Sequence, residues 1–351
     1  MVLVLALFLF VGDFVGWKDK KWYDLFGYKG EIVMKKIGIL TSGGDAPGMN
    51  AAIRAAVRTC LNNNVEPYVI YDGYKGLVEG RIVKVDRRFV SEVLNRGGTI
   101  IGTARLPEFK NIETQKEGLN KLQDLGIEGL VVIGGDGTFR GANELGNLGI
   151  KCIGVAGTID NDINSPGYTI GFDTALNTIV EAVDKLRDTS SSHNRCTIVE
   201  VMGRHCGDLA LYSSIACGAD ILIDPNTEIN KEKMYKDIIS MKEEGRRHVL
   251  IIVSENILDC YALAKEVEEN TGFETRANVL GHFQRGGNPT AMDRFRASVL
   301  GSEAVKYLLN GESDKMLYLS NKEVKSLSFD EAIAKKVIDY KYLYDVNKVI
   351  G

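Results

Sequence analysis

The chain has 351 residues, 44% of them hydrophobic and 26% charged, a globular composition that excludes a disordered protein. The formal net charge of −4 excludes an overall basic field for nucleic acid or an anionic membrane. An anionic ligand must then be met by local basic residues, in one large domain or two of ordinary size.

Residues 1–11 are wholly apolar, and Gly12-Asp13 ends the run. The run is shorter than the ~20 residues that span a bilayer. It lacks the basic flank and the small-residue cleavage site of a secretory signal. One reading is a membrane anchor. The other is that Met34 is the true start and residues 1–33 are an extension arising as a gene-model artefact. Lys29-Gly30-Glu31 could be encoded by a purine-rich stretch resembling a bacterial ribosome-binding site, and the strand-like Lys36-Ile37-Gly38-Ile39-Leu40 follows Met34 almost at once.

Beyond Met34 the pattern alternates. Strands are expected at residues 37–40, 65–71, 129–133, 152–155, 196–201, 221–223 and 249–253. Helices are expected at 50–61, 114–125, 175–187, 231–244 and 260–270. Continuous apolar strands between amphipathic helices predict parallel sheets covered on both faces. The fold class is therefore α/β, with two doubly wound, Rossmann-like domains around a shared cleft and a boundary near Gly171. Ligands in such sheets bind at the carboxyl ends of the strands.

Three polar turns sit at such ends. Thr41-Ser42-Gly43-Gly44-Asp45-Ala46-Pro47-Gly48 joins a strand to a helix. Glycine lets the backbone approach a phosphate, and the helix N-terminus adds N–H groups and positive potential. An ordinary tight turn explains this segment equally well. Gly134-Gly135-Asp136-Gly137-Thr138 follows the strand expected at 129–133. A carboxylate among glycines there can reach a metal ion beside a polyphosphate, a pattern shared by several kinase families. Gly157-Thr158-Ile159-Asp160-Asn161-Asp162 is the third. One of its carboxylates could deprotonate a hydroxyl while the other orients or binds metal. Capping and turn formation is the bland alternative. Basic residues in glycine-rich settings complete the set: Arg105, Arg195, Arg204, Arg276, His282 and Arg285. Arginine suits bidentate phosphate recognition, while a surface ion pair is the plainer reading of any single one of them. The six cysteines show neither Cys-x-x-Cys nor zinc spacing, so they read as buried reduced thiols in a cytosolic protein.

Residues 36 to about 301 closely resemble the bacterial ATP-dependent 6-phosphofructokinases. The resemblance rests on the three turns above and on Arg187-Asp188-Thr189-Ser190-Ser191-Ser192-His193, Glu200-Val201-Met202-Gly203-Arg204 and Leu280-Gly281-His282-Phe283-Gln284-Arg285-Gly286-Gly287. It implies a cytoplasmic, magnesium-dependent, allosterically regulated kinase that moves the γ-phosphoryl of ATP to the 1-hydroxyl of fructose 6-phosphate, the committed step of glycolysis. Asp160, Thr158 and Arg204 match the catalytic positions, and Asp136 the metal-linked carboxylate. Gly44, Arg105, Leu106, Gly135, Asp136, Gly137 and Thr138 match the ATP positions. Thr158, Ile159, Asp160, Met202, Gly203, Arg204, Glu255, His282, Phe283, Gln284 and Arg285 match the sugar-phosphate site. Arg195 and Arg276 match arginines that reach that site from a neighbouring subunit, which implies a homotetramer.

Residues 34–171 with about 284–334 would carry ATP, and 172–283 with about 335–351 the sugar phosphate. Pyrophosphate-dependent relatives carry a bulkier acidic residue at the position of Gly137 and a lysine at that of Gly157, so the two glycines favour ATP. Arg54, Arg58, Arg87, Arg187, Gly218, Asp220, Glu244 and Arg246 match an effector site for ADP and phosphoenolpyruvate. Glu244 stands where a Lys or Arg is usual, so weaker or altered effector binding is expected. A base that accepts its proton late in transfer needs no large pKa elevation at Asp160. A binding-only regulatory subunit would be expected to lack Asp136 or Asp160, and both are present.

Overall fold

A computed structural model describes residues 34–336 and 340–351. The apolar run at 1–11 and the proposed extension ahead of Met34 lie outside the described residues. No helix of the described residues is long and apolar enough to cross a membrane.

The strands, in chain order, are β1 (Lys36–Ser42), β2 (Glu66–Ile70), β3 (Ile82–Lys84), β4 (Gly129–Gly134), β5 (Lys151–Thr158), β6 (Ile170–Gly171), β7 (Cys196–Val201), β8 (Ile221–Ile223), β9 (Val249–Ser254), β10 (Thr275–Val279), β11 (Lys315–Ser320) and β12 (Glu323–Ser328). Among the described residues they form two sheets. The larger runs β12-β11-β5-β4-β1-β2-β3, with β6 paired to the end of β5; the smaller runs β10-β7-β9-β8. The smaller sheet is parallel throughout. The larger is parallel from β11 to β2 and closes on antiparallel edge strands, β12 and β3. Those edges depart from an all-parallel expectation. β12 follows β11 after the two residues Asn321-Lys322, which only an antiparallel pairing permits, whereas β3 returns to β2 after the helix Gly73–Glu79.

The helices are α1 (Met49–Asn62), α2 (Gly73–Glu79), α3 (Ile112–Leu125), α4 (Asp136–Asn147), α5 (Phe172–His193), α6 (Asp208–Cys217), α7 (Lys231–Glu243), α8 (Cys260–Thr271), α9 (Ala291–Leu309), α10 (Phe329–Ile333) and α11 (Lys341–Ile350). Sequence periodicity did not mark α4, α6 or α9. The three glycines of α4 (Gly137, Gly141, Gly146) weaken its reading as a helix, and α6 is buried nearly all round, so it has no polar face to alternate with.

Central strands β4 and β5 are buried along almost their whole length, which is why they read as continuous apolar runs. α1 and α9 pack on one face of the larger sheet. They approach so closely that a Cβ at Gly301 would lie 2.4 Å from the Ala52 carbonyl oxygen, so only glycine fits. The other face carries stacked ring pairs, Tyr74 on Phe109 and Phe139 on Phe329. One continuous apolar core joins Ile39, Val131 and Val155 of the larger sheet to Val199, Val201 and Leu209 beside the smaller one. The two sheets are thereby held with their strand ends close enough to share a site.

Candidate active site

β1 has β2 on one side and β4 on the other. The chain therefore leaves these two strands in opposite directions, opening the crevice expected at a topological switch point. The loop after β1 enters it at Gly43, whose φ is +83°, followed by Gly44 and Asp45. The loop after β4 enters at Gly135 and Asp136, the first residue of α4. Thr138 Oγ1 donates to the Ser42 carbonyl at 3.0 Å and ties the two loops together. A Cβ at Gly134 would lie 2.2 Å from that hydroxyl and 2.4 Å from the carbonyl. Glycine is obligatory there for packing, whatever binds above it.

The third loop leaves β5. Asp160 is only 3% exposed, and its Oδ1 has no hydrogen-bond partner among the described residues. Burial pushes its carboxyl up to about 6, helped by Asp162 and Glu255 and opposed by Arg285 and Arg204. The elevation was not expected from the sequence, because burial cannot be read from a polar turn. Asn161 holds φ +52°, a left-handed conformation that asparagine adopts more readily than most residues. Asp162 is also raised by burial, against the pull of Arg204.

Arg204 arrives from the end of β7, itself at φ +53°. Its N–H donates to Glu255 Oε1 at 2.8 Å. Its Nη1 lies 3.2 Å from Asp162 Oδ2 and 3.5 Å from Asp136 Oδ1. Arg140 Nη2 stands 3.7 Å from the other oxygen of Asp136. The structure thus brings Asp136, Asp160, Asp162, Arg204 and Glu255 together from both sheets. The turn's sequence offers Asp162 only as the second of two carboxylates, one that orients or binds metal; its pairing with Arg204 is a tertiary signal.

Arg285 ends a 3-10 turn, Gly281–Arg285. Its Nη1 donates to the Asp45 carbonyl at 3.2 Å, and a Cβ at Gly44 would lie 2.4 Å from the same nitrogen. A residue matched to the sugar phosphate therefore rests on the loop matched to ATP. Met202 is buried and Gly203, at φ +127°, follows it. His282 and Phe283 are exposed, Phe283 by 70%.

Two of the residues matched to the sugar phosphate turn inward. Gln284 is fully buried; its Oε1 accepts the Met202 N–H at 3.1 Å and its Nε2 donates to the Gly281 carbonyl at 3.0 Å. Both ends are used inside the protein, so the side chain braces Met202. Ile159 is also fully buried, its side chain within the main core. Only its backbone is available to a ligand.

Arg105 is exposed and Leu106 half-buried, just before the turn Pro107–Lys110. Gly137 is open: a Cβ there meets nothing within 4 Å. Gly157 is not. A Cβ there would lie 3.1 Å from Met49 and 3.2 Å from Ile133, so this glycine has a packing reason and Gly137 carries the space argument alone.

Arg195 and Arg276 are not brought to this cluster. Arg195 Nη2 lies 2.8 Å from Glu274 Oε1, and Arg276 also donates to that oxygen. The effector-matched residues fall into two groups. Arg54 is half-buried on α1 with Arg58 and Arg87 as its charged neighbours; burial and then their like charge lower its pKa. Elsewhere Arg246 pairs with Asp220, Arg187 donates to the Cys217 carbonyl beside Gly218, and Glu244 accepts from the Ser240 hydroxyl at 3.3 Å. No hydrogen bond or ion pair among the described residues joins the two groups.

A sequence profile described as Phosphofructokinase matches residues 36–308. A protein of Clostridium perfringens named ATP-dependent 6-phosphofructokinase 1 is 52% identical over 318 residues, covering 91% of this chain and all of its own. One of Vibrio vulnificus named ATP-dependent 6-phosphofructokinase is 53% identical over 301 residues, 86% of this chain and 94% of its own. A solved phosphofructokinase of Saccharomyces cerevisiae superimposes with a TM-score of 0.81 at 34% identity, over 89% of this chain and 49% of its own. A solved pyrophosphate-dependent phosphofructokinase of Marinobacter aquaeolei reaches the same TM-score at 20% identity, over 90% of this chain and 88% of its own, and shares the fold.

Proposed function

From the premise that this chain belongs to the phosphofructokinase family, we propose that it transfers the γ-phosphoryl of ATP to the 1-hydroxyl of fructose 6-phosphate in glycolysis. One observation carries this reading best. Asp160 offers a buried carboxylate with an unpartnered oxygen, at the end of a strand beside the glycine-rich loops and the arginines of the facing sheet.

Phosphoryl transfer asks for placement and charge neutralisation more than covalent help. Asp160 accepts the proton of the attacking hydroxyl. Thr158, whose Oγ1 accepts the Asp160 N–H at 3.2 Å, fixes the start of that turn. Arg204 bears on the transferred group from the opposite side. Gly44, Arg105, Leu106, Gly135, Gly137 and Thr138 shape the nucleotide side. Met202, Gly203, Glu255, His282, Phe283 and Arg285 shape the sugar-phosphate side, with Gln284 and Ile159 supporting from within. Domain limits follow this division: residues 34–171 with about 284–334 take ATP, and 172–283 with about 335–351 take the sugar phosphate.

Mg²⁺ fits Asp136. Its carboxylate is the hard-oxygen donor this ion takes, and it is partly exposed beside the open Gly137. Among the described residues no cluster of three or more His, Cys, Asp or Glu could hold a metal by itself. That suits an ion bound by one carboxylate, substrate phosphates and water. Bound there, it would neutralise charge on the phosphates.

Arg195 and Arg276 act on a neighbouring subunit's sugar phosphate in a homotetramer. Arg54, Arg58, Arg87, Arg187, Gly218, Asp220, Glu244 and Arg246 form the site for ADP and phosphoenolpyruvate. The reading is tested by a coupled ATP/fructose 6-phosphate assay of wild type beside Asp160→Asn. Strong activity in the wild type and its loss in the variant are expected; full activity in the variant removes the central assignment.

A further inference from the structure

Asp208 is a buried acid that the proposed chemistry does not use. It is 1% exposed and opens α6, four residues after Arg204. Its Oδ2 accepts from Asn161 Nδ2 at 2.7 Å and from Lys336 Nζ at 2.9 Å. Its Oδ1 accepts from the Tyr340 hydroxyl at 2.6 Å, with the Cys206 thiol at 3.1 Å. Asn161 is the left-handed residue between Asp160 and Asp162, and its Oδ1 accepts the Thr169 N–H at 3.0 Å. Lys336 also donates to the Asn161 carbonyl. One acid therefore holds the loop after β5 against the loop after β7, and two residues near the C-terminus complete its shell.

The C-terminal segment is fastened again eight residues beyond Lys336. The Tyr344 hydroxyl donates to Asp224 Oδ2 and accepts from Asn226 Nδ2 at 3.1 Å. Asp224 Oδ2 lies 3.1 Å from where a Cβ on Gly207 would sit. Lys336, Tyr340 and Tyr344 thus reach two buried acids, Asp208 and Asp224, that follow Arg204 in the chain.

A buried carboxylate without donors is costly, and the donors here come from the loop after β5, from Cys206 in its own loop and from the C-terminal segment. The arrangement is over-determined for helix capping, since α6 has no side-chain cap at all. We infer that Asp208, held by Lys336 and Tyr340, is a positioning residue that sets the placement of Asp160 and Asp162 relative to Arg204 across the two sheets. The inference rests on the reading that Asp160 and Arg204 serve the transfer.

The test compares Tyr340→Phe, Lys336→Met and Asp208→Asn with wild type and Asp160→Asn. ATP-binding sites are counted in each preparation, so that kcat refers to folded sites only. A displacement near 1 Å costs about 10²-fold in rate. Asp208→Asn is expected to lose about that much in kcat and Tyr340→Phe about 10-fold, with the KM for ATP held within about 2-fold. Lys336→Arg, which keeps the charge, is expected to recover most of what Lys336→Met loses. A role confined to stability lowers the number of binding sites but leaves kcat per site and its response to Lys336→Arg unmoved. Should Asp208→Asn not fold, Tyr340→Phe decides. Wild-type kcat per site in Tyr340→Phe and Lys336→Met, with Asp160→Asn inactive, overturns the inference and leaves the site reading intact. An active Asp160→Asn overturns the site reading itself.

Discussion

Asp160 is where chemistry and stability pull apart. Its carboxyl is raised from the ordinary 3.8 to about 6, chiefly by burial. Between those values the folded state binds a proton that the unfolded chain has released. Ionised Asp160 therefore destabilises the fold, not at all below about pH 4 and fully above about pH 6. The full penalty is about 3 kcal/mol. Asp160→Asn should raise stability by roughly that amount at pH 7.5 in magnesium-free buffer, the gain shrinking as pH falls towards 4; urea unfolding at several pH values measures it. Its kcat should fall by about 10²–10⁴-fold. The wild-type kcat/KM should drop on the acid side near pH 6, where the base becomes protonated, and a pH–rate profile reads this. These residues were legible as a cluster because each ends a strand. Their orientation was not, since it depends on left-handed backbone at Asn161 and Arg204. The inward turns of Ile159 and Gln284 were hidden for the same reason: a polar motif does not say which of its members face the protein.

At the scale of elements, α4 begins at Asp136 and leaves Gly137 free of contacts. Gly137→Asp should fold normally, since an acid in a first helical turn is favourable. Beside the phosphates the same acid is repulsive, and the KM for ATP should rise at least about 10-fold, a cost of about 1.4 kcal/mol. Steady-state kinetics with a thermal melt separates the two effects. α5 and α9 start against one another. Asp293 Oδ2 accepts the Thr174 N–H at 2.8 Å and its hydroxyl at 2.6 Å, while the Thr290 hydroxyl donates to Asp173 Oδ2 at 2.5 Å. Asp293 is fully buried, so Asp293→Ala strands two donors. It should destabilise by about 2–3 kcal/mol in urea unfolding. The central parallel strands β1, β4, β5, β7 and β9 were legible because burial on both faces imposes apolar runs, whereas β11, parallel to β5, was not. β10, an edge strand of sequence TRANV, and the antiparallel β12 were not, because edge positions tolerate polar residues.

The whole molecule bears on the two arginines that stand apart. If Arg195 and Arg276 complete a neighbour's site, inactive Asp160→Asn and inactive Arg276→Ala subunits should regain activity when refolded together, because some hybrid sites then hold neither defect. A mixture no more active than its components would confine each site to one chain. The proposed effector site is tested at the same scale. Glu244, two residues before Arg246, adds a second acid to a set that already pairs Arg246 with Asp220, and Glu244→Lys should tighten ADP and phosphoenolpyruvate binding; unchanged effector affinity counts against that site. None of this was readable from one chain's periodicity, which reports a residue's own burial and not its neighbours across an interface.

The order of strands also has a consequence for how the protein is made. β5 lies between β4 and β11, and Val155 pairs with Leu317, synthesised roughly 160 residues later. At ordinary elongation speeds of about 5–20 residues per second that interval lasts on the order of 10–30 s. Throughout it the nascent chain presents a long apolar strand with one unpaired edge, the kind of edge that recruits other strands. The whole smaller sheet emerges during the wait. Completion of the larger sheet is therefore a late event on the ribosome, and the vulnerable intermediate is one in which the second half of the crevice exists before the first is closed.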